Sequence, residues 1–188
     1  MKRFYFTYIV LMILPLLLFS QTNNGNEKSG NTDKITWMTF EQAVEMNKKK
    51  PKKIFIDVYT HWCGWCKRMD ATTFSDPVIV KYMNENFYAV KLNAEQKEPV
   101  TFNTHSFTNP NPDPNIRTVH ELASSLLDNK MQYPTTVYLD EKFQRLHIQA
   151  GYLQVDFLNV LLHYFGDDKY KTVKWEDFQQ TYKSDGNK

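Results

Sequence analysis

KIFIDVYTHWCGWCK, residues 53–67, joins a short apolar run to a pair of cysteines, and its reading decides the fold. Lys53 to Tyr59 is β-branched and aromatic, the pattern of a buried strand. Lys67 to Phe74 then reads as a helix, so the cysteines fall at a strand-to-helix junction. Cys63 and Cys66 are the chain's two cysteines. At helical spacing, residues i and i+3 face the same side with about 5–6 Å between Cβ atoms, so a first-turn pair can be bridged. Such a bridge closes a tiny loop and stabilises far less than a long-range crosslink, which makes a structural staple a poor explanation. Unpaired N–H groups and the helix dipole at this junction favour the thiolate of Cys63, the attacking species in disulfide exchange. Cys66, one turn on, is the natural resolving thiol. Gly64 allows close backbone approach, and Trp62 and Trp65 flank the sulfurs with flat apolar surface.

Other chemistries for the pair are less well supported. Covalent haem attachment needs a His directly after the second cysteine, where this chain has Lys67. A zinc site needs two further ligands, and His61, His105, His120 and His147 show no second paired spacing, so no metal is expected. An inert buried pair is the remaining alternative.

The same stretch, from Phe55 to Lys67, resembles the active-site strand and helix of the thioredoxin superfamily. Asp57 falls where that family places a buried acid beneath the cysteines, and Val90 to Asn93 resembles the strand that supplies its lysine partner, here Lys91. Tyr133-Pro134-Thr135 looks like the cis-proline loop opposite the cysteines, and Gly151 like the glycine after the terminal hairpin. The resemblance covers roughly residues 37–165. It implies a thioredoxin-like α/β fold, with a central mixed sheet flanked by helices. It also implies thiol–disulfide oxidoreductase activity on protein disulfides or dithiols, with the Cys63–Cys66 couple in place of a separate cofactor. Cys63, Cys66, Asp57 and Pro134 would be catalytic, Lys91 would tune the acid, and Trp62, Gly64, Trp65, Tyr133 and Thr135 would contact substrate. Buried Asp57 should have a raised pKa and relay the Cys66 proton. Trp65 stands where the family usually has proline. Met69-Asp70 and Thr73 to Pro77 are more similar to exported thioredoxin-like proteins and to the reducing domain of membrane reductases. A reductase with a membrane or exported redox partner is therefore the first expectation. The alternative is a binding module of the same fold for a partner protein or metal.

Residues 1–20 read as a secretory signal peptide, with Lys2 and Arg3 ahead of an apolar stretch too short to span a bilayer comfortably. Residues 21–33 are polar and Asn/Gly-rich, as in a flexible tether. The folded part, residues 34–184, is then periplasmic or secreted, where disulfides persist. Lys and Arg number 23 against 21 Asp and Glu, an even balance that gives no footprint for nucleic acid. The dense basic run, Lys48 to Lys53, reads as a solvated loop.

Elsewhere the pattern predicts a helix after Thr39, a helix from Pro77 capped by Asp76, strands at 87–92, 135–139 and 144–149, and helices at 118–129 and 155–165. A further short helix is expected in the tail. Residues 95–117 lack periodicity and carry Asn109-Pro110-Asn111-Pro112-Asp113-Pro114, so they read as an insertion loop before the helix that leads to Pro134.

Overall fold

The computed structural model describes residues 34–182. The expected leader at 1–20 and tether at 21–33 lie outside the described residues. The central strand β2, Lys53–Tyr59, is buried along nearly its whole length. Strand alternation sends Ile54, Ile56 and Val58 to one face and Phe55 and Asp57 to the other. Strand β3, Phe87–Asn93, pairs with it in parallel and repeats the division: Tyr88, Val90 and Leu92 against Phe87, Ala89 and Lys91. The sheet order is β1-β3-β2-β6-β7, with β1 (Trp37–Met38) parallel to β3, while β6 (Thr135–Leu139) and β7 (Arg145–Ala150) continue antiparallel.

Helices cover both faces. Helix α1, Phe40–Lys49, packs Phe40, Ala43 and Val44 on the Ile56 face, joined by the Leu122 side of α4, Glu121–Leu126. On the Phe55 face lie α2 (Gly64–Ala71), α3 (Pro77–Asn86), α5 (Val155–Gly166) and α6 (Trp175–Thr181). This is the thioredoxin-like α/β arrangement, a mixed sheet between two helical layers.

Local signals placed most of these elements. Thr39 and Gln42 form a reciprocal capping box at the start of α1, and the Asp76 carboxylate accepts from the Val78 N–H ahead of Pro77. Four expectations need correction. Helix α2 begins at Gly64 rather than Lys67, because the Cys63 sulfur accepts the Cys66 N–H as a cap; a 3-10 turn, Thr73–Ser75, follows it. Helix α4 is shorter than expected: His120 caps its start through Nδ1, and Asp128 and Asn129 adopt positive φ after its end. Lys53 is not solvated with the rest of the basic run; it is buried between Glu141 and Asp168.

The fourth correction concerns the insertion, which is ordered rather than structureless. It contains a hairpin of β4 (Val100–Phe102) and β5 (His105–Phe107), with Asn103 at positive φ in its turn. Its ends meet where the His120 N–H donates to the Ala94 carbonyl at 2.8 Å. Inside, Lys97 Nζ donates to the carbonyls of Asn111 and Ile116, and the buried Asn109 amide to those of Gln96 and Thr118. Those side chains supply the backbone partners that regular structure would otherwise supply.

Candidate functional site

The Tyr59 end of β2 sets the site. Val58 pairs with Thr135, so the loop leaving β2 and the loop entering β6 emerge together at one end of the sheet. From the first loop come Trp62 and Cys63, and α2 starts immediately. Cys63 and Cys66 form a disulfide with Cα atoms 5.3 Å apart. Both sulfurs are largely covered, while the indoles of Trp62 and Trp65 beside them are 52% and 57% exposed. A Cβ on Gly64, between them, would meet nothing within 4 Å, so the helix start is open to an approaching chain.

The second loop brings the Tyr133–Pro134 peptide bond, which is cis. Tyr133 meets Trp62 edge-on, with centroids 6.1 Å apart. The Pro134 carbonyl accepts the Gly151 N–H at 2.8 Å, and Gly151 sits at φ +94°, a conformation side chains resist. Thr135 does not reach the surface: it is buried, and its hydroxyl donates to the Gln132 carbonyl at 2.7 Å.

Beneath the site, the parallel register sets Asp57 opposite Lys91. Lys91 Nζ donates to Asp57 Oδ2 at 2.6 Å and also to Asp70 on α2, and the aromatic rings of Trp37, Tyr59 and Phe74 surround it at 4.9–5.2 Å. Exposure rises along this chain, from 1% at Asp57 through 19% at Lys91 to 43% at Asp70. Burial pushes the Asp57 carboxyl up to about 6; Lys91 pulls it back, and Asp70 adds to the rise. Its other oxygen, Oδ1, is buried without a hydrogen-bond partner among the described residues. Lys91 itself is held above the ordinary lysine value, because its two carboxylates outweigh its burial.

Several groups at the site escaped sequence reasoning. Arg117 lies over the Trp62 ring at 5.3 Å and Glu95 accepts from its indole N–H; Arg68 and Tyr152 pack on Trp65. None carries a local motif, and only the closure of the insertion and of the 151–154 loop brings Glu95, Arg117 and Tyr152 in. A groove of about 300 Å³ runs between the insertion and His61. Among the described residues no group of three or more His, Cys, Asp or Glu side chains is placed to hold a metal ion.

Residues 27–157 match the model of the Thioredox_DsbH family, described as "Protein of unknown function, DUF255". The chain belongs to this family. Among curated proteins, this Thioredox_DsbH chain is 33% identical to spermatogenesis-associated protein 20 of Mus musculus over 67 residues, 35% of the chain but 8% of that protein. The chain thus spans less than a tenth of that relative's length. In fold it is similar to a thioredoxin from Thermus thermophilus (TM-score 0.53, 15% identity, covering 70% of this chain and 87% of that one). It is likewise similar to a thioredoxin-fold protein from Helicobacter pylori (TM-score 0.52, 15% identity, covering 81% and 93%). Among the described residues, no helix is long and apolar enough to cross a membrane.

Proposed function

We propose that this chain is a thiol–disulfide oxidoreductase that acts outside the cytoplasm on protein disulfides, as a reductase. The observation that carries the reading is the Cys63–Cys66 disulfide capping α2 between two exposed indoles, above a buried carboxyl displaced toward neutrality.

In the reduced protein, the Cys63 thiolate attacks one sulfur of a substrate disulfide. The S–S bond breaks, one substrate thiolate leaves, and Cys63 is joined to the other in a mixed disulfide. Resolution needs the Cys66 thiolate. Asp57, mostly ionised at neutral pH with a value of about 6, takes the Cys66 proton at Oδ1, the oxygen without a partner. Cys66 then attacks the Cys63 sulfur, the second substrate thiolate leaves, and the oxidised pair seen here is the product. Two electrons have passed to substrate, and an exported or membrane-held dithiol returns them. The positive end of α2 stabilises thiolate at Cys63, and the edge at cis-Pro134 holds an extended substrate segment.

The test is trapping. Cys66→Ala should accumulate a covalent adduct with a disulfide-bonded protein substrate, and Cys63→Ala should accumulate none. Titration of the couple against glutathione standards should give a value near about −270 mV for a reductase, whereas a value near about −120 mV would make it an oxidant. Absence of adducts in Cys66→Ala would sink the exchange reading.

A further inference from the structure

The insertion reaches the disulfide through Trp62, the residue before Cys63. Arg117 and Glu95, the last and first residues of the 95–117 segment, touch that indole at different poles. The Arg117 guanidinium lies over its face at 5.3 Å, and Glu95 accepts its N–H at 3.0 and 3.1 Å. An aromatic ring is negative on its face and positive at its edge, so the cation and the anion each sit where the ring attracts them. Tyr133 adds an edge contact from the cis-proline loop. These contacts are directional, and turning the ring over would take its N–H away from Glu95.

The two ends of the insertion are held together from within. Lys97 Nζ donates to the carbonyl of Ile116, next to Arg117, and to that of Asn111, each at 2.8 Å. The Asn109 amide donates to the carbonyls of Gln96 and Thr118, both at 2.9 Å, and so ties a neighbour of Glu95 to a neighbour of Arg117. Along the adjoining groove Glu95 and Glu98 stand against Lys97 and Arg117, so its formal charges cancel and select no sign of partner.

We infer that the 95–117 segment is a positioning frame for Trp62: through Arg117 and Glu95 it fixes the exposed indole beside Cys63 in the orientation that receives a polypeptide substrate. Arg117, Glu95 and, one step back, Lys97 are positioning residues, acting through the ring rather than on the sulfurs. The inference rests on the exchange reading for its purpose. A side chain ordered before its partner arrives loses less freedom on binding, which strengthens its contact with a chain long enough to cross it. A disulfide of a few atoms, which need not cross the ring, gains little.

The experiment compares two oxidants of the reduced full-length chain, insulin and hydroxyethyl disulfide, by the ratio of their second-order rate constants. Arg117→Ala should lower the ratio about threefold, the size of one exposed cation–π contact. Glu95→Ala should lower it at least as much, and Glu95→Gln, which keeps an acceptor oxygen, should restore most of it. Lys97→Met, which frees the Asn111 and Ile116 carbonyls, should move it in the same direction. In a Trp62→Ala background none of these changes should move the ratio further. Equal slowing with both oxidants, or effects that persist without Trp62, overturns the inference. A second readout needs no exchange chemistry: the Trp62 indole N–H resonance of the oxidised chain, assigned by Trp62→Phe. Its exchange with solvent should quicken severalfold in Arg117→Ala and Lys97→Met, and an equal rate in wild type and Glu95→Ala also overturns the inference. If hydroxyethyl disulfide fails to oxidise the wild type, the exchange reading falls and the resonance alone decides whether the frame holds.

Discussion

Two lysines stand near opposite ends of the paired strands β2 and β3, on the same face of the sheet, and each lies between two carboxylates. Lys53, the first residue of β2, reaches Glu141 and Asp168, both at 2.9 Å. Lys91, near the end of β3, reaches Asp57 and Asp70. The arrangements differ in which partner is buried. At the first, the cation is covered (5% exposed) and its carboxylates are open to water at 36% and 44%; at the second, the anion is covered and the open carboxylate is Asp70. Burial alone would lower Lys53, but Asp168 and Glu141 outweigh it and its value is raised, while Asp168 is lowered by its lysines despite its own burial. Lys53 and Asp168 are thus each held in the charged form. At the second, one ammonium shared with Asp70 does not offset the burial of Asp57, and the carboxyl is left near 6. The same three charges thus make a fixed staple at one end and a titrating group at the other, and the second is tied through Asp70 to α2, the helix that starts at the cysteines.

The largest effect is expected from Lys53→Met. Removing the cation leaves Glu141 without its partner and Asp168 with only Lys171, which costs about 3 kcal/mol, the low end of the usual range because both carboxylates also keep some water. Urea unfolding should show that loss, with the Cys63–Cys66 potential unchanged. Asp57→Asn should act in the opposite sense. The displacement of the carboxyl from 3.8 to about 6, in which the pull of Lys91 is already included, corresponds to about 3 kcal/mol, so a gain of up to about 3 kcal/mol at pH 8 is expected. Exchange should slow by roughly tenfold or more as the resolving step loses its base. A destabilised Asp57→Asn would break the comparison.

The same displacement fixes a pH dependence. The folded-state value of Asp57 lies above its unfolded value, so its contribution is fully present below about pH 4 and is lost as pH rises through about 6. The difference in stability between wild type and Asp57→Asn should therefore open across that window and stay constant above it. A difference independent of pH from 4 to 8 would show that Asp57 does not titrate there.

How much of this was legible in the sequence follows from how local each signal is. β2, β6 and the start of α3 read correctly because apolar runs and an Asp-Pro cap act over a few neighbouring residues. β1 did not, since two residues carry no period and Trp37–Met38 becomes a strand only by pairing with Ala89 and Val90. The hairpin of the insertion escaped for the same reason: Val100 is buried against α1 only once the segment folds back. At the site, the cysteines announce themselves by spacing, and Asp57 by being a charge inside an apolar strand. The pairing of Asp57 with Lys91 follows from register, which neither strand states alone. Lys53 was misread because composition cannot tell a lysine at the end of a basic run from one that meets Glu141 and Asp168 across the fold.

The smallest effects come from the open carboxylates, and they separate the two clusters most finely. Glu141→Gln and Asp70→Asn each remove one part-exposed partner of a lysine, so each should alter stability by less than about 1 kcal/mol. The two variants should nevertheless differ in the pH profile of exchange. Asp70 raises Asp57 as a like charge and also competes for Lys91, so its neutralisation lowers Asp57 on both counts. In the proposed exchange Asp57 must be ionised to accept the Cys66 proton, so the acidic limb of the Asp70→Asn profile should move to lower pH, by less than a pH unit. Glu141 touches no group in that relay, and Glu141→Gln should leave the limb in place. Single-turnover resolution of the mixed disulfide, followed from pH 5 to 8 in both variants, measures the difference. Coincident limbs would mean that Asp70 only anchors α2 to the sheet, and that Asp57 is set by burial and Lys91 alone.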